Sequence, residues 1–265
     1  MYQTAIISDV HDWHTEKIEF FLKKNECNVT RLKFCDIELN FNENKNFFFN
    51  KNIQKLDAVW VRFLNGQSLE EITTKLTYLH LLSELNIYVH NSAITIEKTV
   101  DKVRSSGLLK INRILSPDTH IWISGKKKKI IKKDSLLKPI FGSQGKGIIL
   151  VKKNTNLSEM KSSGNVFYLQ NFVGEIRDQK FSDLRVLVSN HKVIASMERE
   201  SESFLTNVYQ GASYHRVQIS SEIVKLSEKI SRIFKLGYGG IDIKIIKKKN
   251  FVLEINSIPS WKNIN

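Results

Sequence analysis

Two carboxylates set inside apolar runs carry the strongest chemical signal in this 265-residue chain. Asp242 lies in Gly239-Gly240-Ile241-Asp242-Ile243, and Glu254 in Phe251-Val252-Leu253-Glu254-Ile255-Asn256. Burying a carboxylate among Ile and Leu is costly unless something charged or hydrogen-bonding meets it. Side chains alternate along a strand, so Glu254 and Asn256, two apart, share one face. A turn at Lys247–Asn250 would fold the two runs into a hairpin, with Asp242 roughly opposite that pair. Two carboxylates and an amide form an all-oxygen donor set, suited to Mg2+ bound together with nucleotide phosphates. The alternative is pairing with Lys or Arg across the sheet.

A second signal is Gly142-Ser143-Gln144-Gly145-Lys146-Gly147. Its G-x-x-G-x-G spacing matches neither of the familiar phosphate loops that open a helix. Ile148-Ile149-Leu150-Val151 follows, a β-branched run that predicts a strand. The loop should therefore join two antiparallel strands and lie over a ligand as a flap, its glycines letting the backbone approach phosphate oxygens. Lys138, just upstream, would reach the same oxygens as a point charge. A plain glycine-rich hairpin explains the same residues. Asp9, His11, Asp12 and His14 follow the first strand, but consecutive loop residues seldom converge on one ion. Substrate contact by His11 or His14 suits that position better, because ligands enter open α/β sheets beyond the carboxyl ends of the strands.

The elements that must position these groups fall into three zones. Residues 1–90 alternate strands (Thr4–Ser8, Asn28–Lys33, Leu56–Val61, Ile87–Val89) with helices (Lys17–Lys24 and Ser68–Leu85), which predicts a parallel sheet. Ser68 reads as an N-cap with Glu71 in the capping-box position, and Leu39–Asn52 as a loop or inserted hairpin. Residues 91–171 open with a helix over Thr99–Ile111. Short β segments follow at His120–Ser124, Ile130–Lys133, Leu136–Ile140 and Ile148–Lys152. Residues 172–265 hold a hairpin over Asn190-His191, an amphipathic helix Ser221–Lys235 closed near Gly237, and the acidic strand pair. The fold class expected is α/β followed by α+β.

Composition narrows the partners. Lys and Arg number 41 against 27 Asp and Glu, a formal net charge of +14, but only nine of the basic residues are Arg and lysines are spread along the whole chain. Nucleic-acid binders tend to concentrate Arg and aromatic residues on one face, so nucleic acid is not the expected partner. The lysines at 126–129 read as a solvated turn. No apolar run is long enough for a transmembrane helix and no signal peptide is apparent. With only two cysteines, a reducing cytoplasm is the expected location.

Taken together, Asp242, Glu254, Asn256, the glycine flap and Lys138 resemble the ATP-grasp superfamily, and within it the RimK-type α-L-glutamate ligases. Matching blocks run in family order over about 95–260: Asp101-Lys102-Val103-Arg104-Ser105, Leu137-Lys138-Pro139 with Gly142–Gly147, and Leu169-Gln170-Asn171-Phe172-Val173. Asp183-Leu184-Arg185, Met197-Glu198-Arg199, Phe204-Leu205-Thr206-Asn207 and Leu253–Pro259 complete them. The N-terminal zone, with Asp57–Arg62, is similar to the family's pre-ATP-grasp domain, and the Pro-x-Trp ending resembles relatives in tetrahydromethanopterin and methylotroph C1 pathways.

The resemblance implies an ATP-grasp fold: a pre-ATP-grasp substrate domain at 1–90, a central lobe with the flap at 91–171, and a C-terminal lobe with the metal site at 172–265. It implies ligation of a carboxylate to an amine through an acyl-phosphate, with L-glutamate added to a small acid or a protein C-terminus. A glutathione-like or dipeptide product is the second reading, and a non-catalytic nucleic-acid-binding relative the third. ATP and one or two Mg2+, or Mn2+, would be bound, and a homo-oligomer is compatible. Lys102 and Lys138 would hold phosphates beneath Gly142, Ser143, Gln144, Gly145 and Gly147; Gln170, Asn171, Phe172 and Val173 would receive adenine, with Asp183 and Arg185 nearby. Arg199 would face the acyl-phosphate, His11, Arg62, Arg185 and Asn207 the substrate, and Asp242, Glu254 and Asn256 the metal. Two positions depart from the family pattern. Asn171 stands where Glu is common, and Leu205 where an Arg is usual, so the acceptor or the amino acid would differ if that Arg contacts substrate carboxylates.

Overall fold

The computed structural model describes every residue except 44–46, 51–52, 65–67, 124–130, 143–144, 158–159, 161–162, 175–179, 207–210 and 263–265. Two compact units emerge, Met1–Glu97 with Ile258–Asn263, and Lys98–Ser257. No helix among the described residues is long and apolar enough to cross a membrane.

In the first unit β1 (Tyr2–Ile7), α1 (Trp13–Lys24), β2 (Cys27–Leu32), a small hairpin of β3 (Leu39–Phe41) and β4 (Phe47–Phe49), β5 (Ala58–Val61), α2 (Leu69–Glu84) and β6 (Tyr88–His90) follow in order. The sheet is parallel, in the order β2-β1-β5-β6. Ala5, Ile6 and Ile7 are fully buried in the central strand, as continuous apolar runs in parallel sheets require. Helix α1 starts four residues before the expected Lys17 because Asp12 and Thr15 form a capping box. Ser68 caps α2 by accepting from the Glu71 N–H, but the Glu71 carboxylate turns to Lys75 at 2.7 Å instead of closing a box.

Helix α3 (Ala93–Val100) precedes α4 (Lys102–Ile111). The single helix expected over Thr99–Ile111 breaks at Asp101, whose extended backbone (φ −85°, ψ 104°) and carboxylate cap α4. The antiparallel sheet that follows has the order β7-β10-β8-β9, from β7 (Thr119–Ile123), β8 (Ser135–Lys138), β9 (Ile149–Val151) and β10 (Val166–Asn171). Of the strand expected at Ile130–Lys133, Ile130 lies outside the described residues. Residues 131–133 are not a strand, although the Ile131 backbone bonds to Asn154 and Thr155. The lysines at 126–129 also lie outside the described residues.

The largest sheet, in the order β13-β12-β11-β14-β15, is antiparallel throughout. It comprises β11 (Phe181–Ser189), β12 (Lys192–Ser201), β13 (Ser213–Arg216), β14 (Tyr238–Ile246) and β15 (Lys249–Asn256), with α5 (Ser221–Phe234) between β13 and β14. Val186, Ile241, Ile243, Val252 and Ile255 pack with Ile223, Ile230 and Phe234 of α5. Each such buried side chain contributes roughly 1.5–3 kcal/mol by leaving water. Strand alternation then turns Asp183, Arg185, Arg199 and Asp242 to the opposite face of this sheet. Helix α5 is closed by Lys235 in the left-handed conformation (φ 56°) rather than by Gly237.

Candidate active site

One cleft in the second unit gathers Lys102, Lys138, Gly142, Gly145, Lys146, Asp183, Arg185, Arg199, Leu205, Thr206, Asp242 and Glu254. Its floor is a grid of charges set by strand register. Asp183 lies opposite Arg199 on β12, Arg185 opposite Asp242 on β14, and Asp242 opposite Glu254 on β15. Arg199 Nε and Nη2 donate to Asp183 Oδ1 and Oδ2 at 2.7 and 2.6 Å, and Thr206 Oγ1 donates to Asp183 Oδ2 at 2.8 Å. Arg185 grips Asp242 with two bonds of 2.8 Å, while Arg199 Nη2 stands 3.0 Å from the same carboxylate. Such two-pronged bonds fix the angle of a side chain as well as its distance.

These contacts set the proton states. Burial pushes Asp242 up, but the Arg185 and Arg199 guanidiniums outweigh it and hold the carboxyl down at about 2. Asp183 is raised by its burial. Arg199 is raised above the ordinary arginine value: burial opposes its charge, and the Asp242 and Asp183 carboxylates more than offset that. The Lys138 ammonium is pushed down to about 8 by burial, with Glu254 opposing the shift and Lys102 adding to it. Five cations thus face three carboxylates in one cleft, a field that draws a polyanion.

The strands that flank the glycine loop form as the sequence predicts. Strands β8 and β9 pair antiparallel around it, and Gly145 and Gly147 adopt φ of 72° and 74°, a region that side chains with a Cβ rarely enter. Lys102 Nζ donates to the Gly142 carbonyl at 2.9 Å and lies 3.7 Å from Glu254 Oε1. Lys138 Nζ donates to Gln170 Oε1 at 2.7 Å. A neighbouring cavity is lined by Leu136, Lys138, Gln170, Asn171, Phe172, Val173, Phe181 and Leu253, which is where the sequence expects adenine. Ser143, Gln144 and Asn207 lie outside the described residues.

Asp242, Glu254 and Asn256 fit a divalent ion by donor type, being two carboxylates and an amide on neighbouring strands. The Asn256 Nδ2 is buried with no hydrogen-bond partner among the described residues. Of the three, Asp242 and Glu254 line the cleft and Asn256 does not. Asp242 is also paired with Arg185 and Arg199, so the sheet supplies the cross-strand cations of the alternative reading alongside the oxygen donor set. Among the described residues no group of three or more His, Cys, Asp or Glu side chains could hold a metal, the stretch from Asp9 to His14 included.

That stretch has structural work in the first unit. Asp12 Oδ2 lies 2.8 Å from His14 Nδ1, and His14 Nε2 takes the Trp261 and Lys262 backbone N–H groups at 3.2 Å, with Ser260 Oγ at 3.0 Å. Asp9 pairs with Lys75 at 2.8 Å, and His11 is exposed. Arg62 is buried; Nη1 donates to the Pro259 carbonyl at 2.8 Å and the guanidinium lies 4.8 Å from the Trp261 ring centroid. Thr206 and Lys146 enter the cleft without having been singled out from sequence, although each sits inside a block that was.

Solved structures share this architecture. The ATP-grasp ligase PsnB complexed with minimal precursor matches with a TM-score of 0.71 over 100% of this chain and 93% of that one, at 15% identity. D-alanine–D-alanine ligase from Bacillus anthracis complexed with ATP gives 0.66 over 98% and 86%, at 13% identity. The fold is therefore that of the ATP-grasp ligases, which define the class. Residues 99–265 match the RimK-like ATP-grasp domain, and the chain belongs to that family. Its chemistry is ATP-dependent joining of a carboxylate to an amine, with ATP and Mg2+ as the implied ligands. Tetrahydromethanopterin:α-L-glutamate ligase of Methanococcus maripaludis is 28% identical over 98% of this chain and 91% of its own length. The enzyme of the same name from Methanocaldococcus jannaschii is 32% identical over 81% and 75%. A probable α-L-glutamate ligase of Maridesulfovibrio salexigens is 31% identical over 68% and 62%.

Proposed function

We propose that this enzyme joins the amine of L-glutamate to an acceptor carboxylate. The observation that carries the reading is the cleft floor, where Arg199, Asp183, Arg185, Asp242 and Glu254 lie in cross-strand register beside two lysines under a glycine flap. The names of the relatives support glutamate as the amino acid.

In this reading Lys102 and Lys138 hold the α- and β-phosphates of ATP, and the apolar cavity beside Phe172 and Val173 takes adenine. Asp242, Glu254 and Asn256 hold Mg2+, for which Mn2+ is a proposed substitute. The bound ion would neutralise phosphate charge and hold the γ-phosphoryl group in line. An oxygen of the acceptor carboxylate attacks the γ-phosphorus and ADP leaves. The glutamate amine then attacks the acyl carbon, loses a proton, and phosphate departs as the amide forms. No Ser, Cys or His nucleophile is needed, because the carboxylate of the substrate itself attacks phosphorus. The protein contributes position and fixed positive charge, with Arg199 and Arg185 facing the developing negative charge. Leu205 would leave that part of the wall apolar.

The test is ADP release with glutamate and a panel of acceptors: reduced pterins, small di- and tricarboxylic acids, and peptides with a free C-terminus. Asp242→Ala and Glu254→Ala should each lower turnover about a hundredfold or more, on the scale of one lost transition-state interaction. ADP release with none of the acceptors, or full activity in both variants, would reject the reading.

A further inference from the structure

Beneath the phosphate end of the cleft lies a hydrogen-bond chain with no charged member except Lys138. Gln170 on β10 is almost wholly buried, at 3% exposure, and its Oε1 accepts from Lys138 Nζ at 2.7 Å. Its Nε2 donates to the Tyr168 hydroxyl at 3.1 Å and to Thr119 Oγ1 at 3.2 Å. Tyr168, itself 2% exposed, lies with its hydroxyl 2.6 Å from Ser106 Oγ on α4. Ser106 is four residues beyond Lys102, one turn along the same helix. The chain of contacts therefore ties the element bearing one phosphate-facing lysine to the side chain of the other.

We propose that Gln170 is a positioning residue for the ligation reaction: its side-chain carbonyl aims the Lys138 ammonium at the nucleotide phosphates, and Tyr168, Thr119 and Ser106 lock the amide that does so. The inference rests on the ligase reading above and concerns the side chain of a residue otherwise expected only to receive adenine. The choice of residue has a physical reason. A lysine on a four-carbon stem has many rotamers, and freezing them before the ligand arrives removes that entropy from the binding step. A carboxylate in place of the amide would orient the ammonium equally well but would neutralise it. A neutral carbonyl orients it and leaves its positive charge for phosphate. Lys138 also fixes which end of the amide faces it: an ammonium only donates, so Oε1 turns toward it and Nε2 is left to the hydroxyls of Thr119 and Tyr168, which can accept.

The experiment measures binding of ADP with Mg2+ by calorimetry, together with KM for ATP, KM for glutamate, and the thermal midpoint. Gln170→Met keeps the length and bulk of the side chain and removes the acceptor. It should weaken ADP binding and raise KM for ATP about tenfold, as expected for one hydrogen bond to a charged group, and leave KM for glutamate unchanged. Tyr168→Phe removes one of the two hydroxyls that hold the amide, without touching Lys138, and should move the same two quantities in the same direction by about two- to threefold. It keeps the proposal testable if Gln170→Met does not fold. Wild-type nucleotide affinity in both variants, or in Tyr168→Phe alone where Gln170→Met does not fold, would overturn the inference and leave the ligase reading standing. Failure of the wild-type enzyme to bind ADP with Mg2+ would overturn both.

Discussion

Asp183 and Arg199 form a closed buried pair, both almost fully removed from water. Pairs of this kind seldom add net stability, because desolvating two charges cancels most of their attraction. Here the pair fixes a guanidinium whose Nη2 also reaches Asp242 at 3.0 Å. Its value lies in holding charge at one place in the cleft. Lys138 is the complementary case, a cation with a carbonyl partner and a value pushed down to about 8 by burial. It is protonated at pH 7 and loses its charge as the pH rises through that value. Because kcat/KM reports the free enzyme, kcat/KM for ATP should fall on the alkaline side of about pH 8. Lys138→Arg, which cannot lose its proton in this range, should move that fall to higher pH. A pH–rate series on the two proteins checks this, and identical alkaline limbs would reject the assignment.

At the scale of elements, the site depends on strands whose two faces differ in kind. Leu184, Val186, Ile241 and Ile243 face α5 and the core, while Asp183, Arg185 and Asp242 on the same strands face the cleft. The core therefore sets the register that brings the charges together, since a slip of one residue would exchange the faces. Helix α5 that covers this core ends on Lys235 at φ 56°, where a residue with a Cβ is strained by about 1 kcal/mol relative to glycine. Lys235→Gly should accordingly raise stability by about that amount without altering activity. Urea unfolding at neutral pH is the measurement, and a loss of stability would show that contacts of the lysine side chain outweigh the backbone strain.

The whole molecule should be sensitive to acid through its first unit. His90 is pushed down to about 4 by burial, and His14 is lowered as well, burial being the main cause. Both are neutral in the fold at pH 7, and His14 Nε2 can receive the Trp261 and Lys262 N–H groups only without its own proton. The unfolded chain takes up protons on these imidazoles below about pH 6.5, where the native state resists them. The stability this represents is present above pH 6.5 and is lost as pH falls through the folded values. For His90 the loss is about 3 kcal/mol by pH 4, from the size of the shift. Thermal midpoints between pH 7 and 4 should drop accordingly, and His90→Gln should remove much of that slope. An unchanged slope in the variant would place the acid sensitivity elsewhere.

Much of this architecture is legible in the amino-acid sequence. The alternation in Gly239–Ile243 and Phe251–Asn256, the β-branched run after the glycine loop, and the apolar period of Ser221–Phe234 are local patterns, and local patterns are what a short stretch of sequence encodes. Asp101 as a helix breaker and Asp12 as a cap are also written locally, in a residue type that favours the start of a helix, but the apolar periodicity beside them is the stronger local signal and points to other helix starts. The partners of the site side chains were decided only by the tertiary structure. Arg185 meets Asp242 across 57 residues, Lys138 meets Gln170 across 32, and His14 meets Ser260 across 246. No spacing rule reaches over such distances, because the pairings come from which strands lie side by side and in what register. The sequence thus determined that this chain carries buried carboxylates, a glycine flap and lysines to match. The packed sheets decided that Asp242 shares two guanidiniums, that Lys138 meets the Gln170 amide, and that His14 meets the backbone of residues 261 and 262.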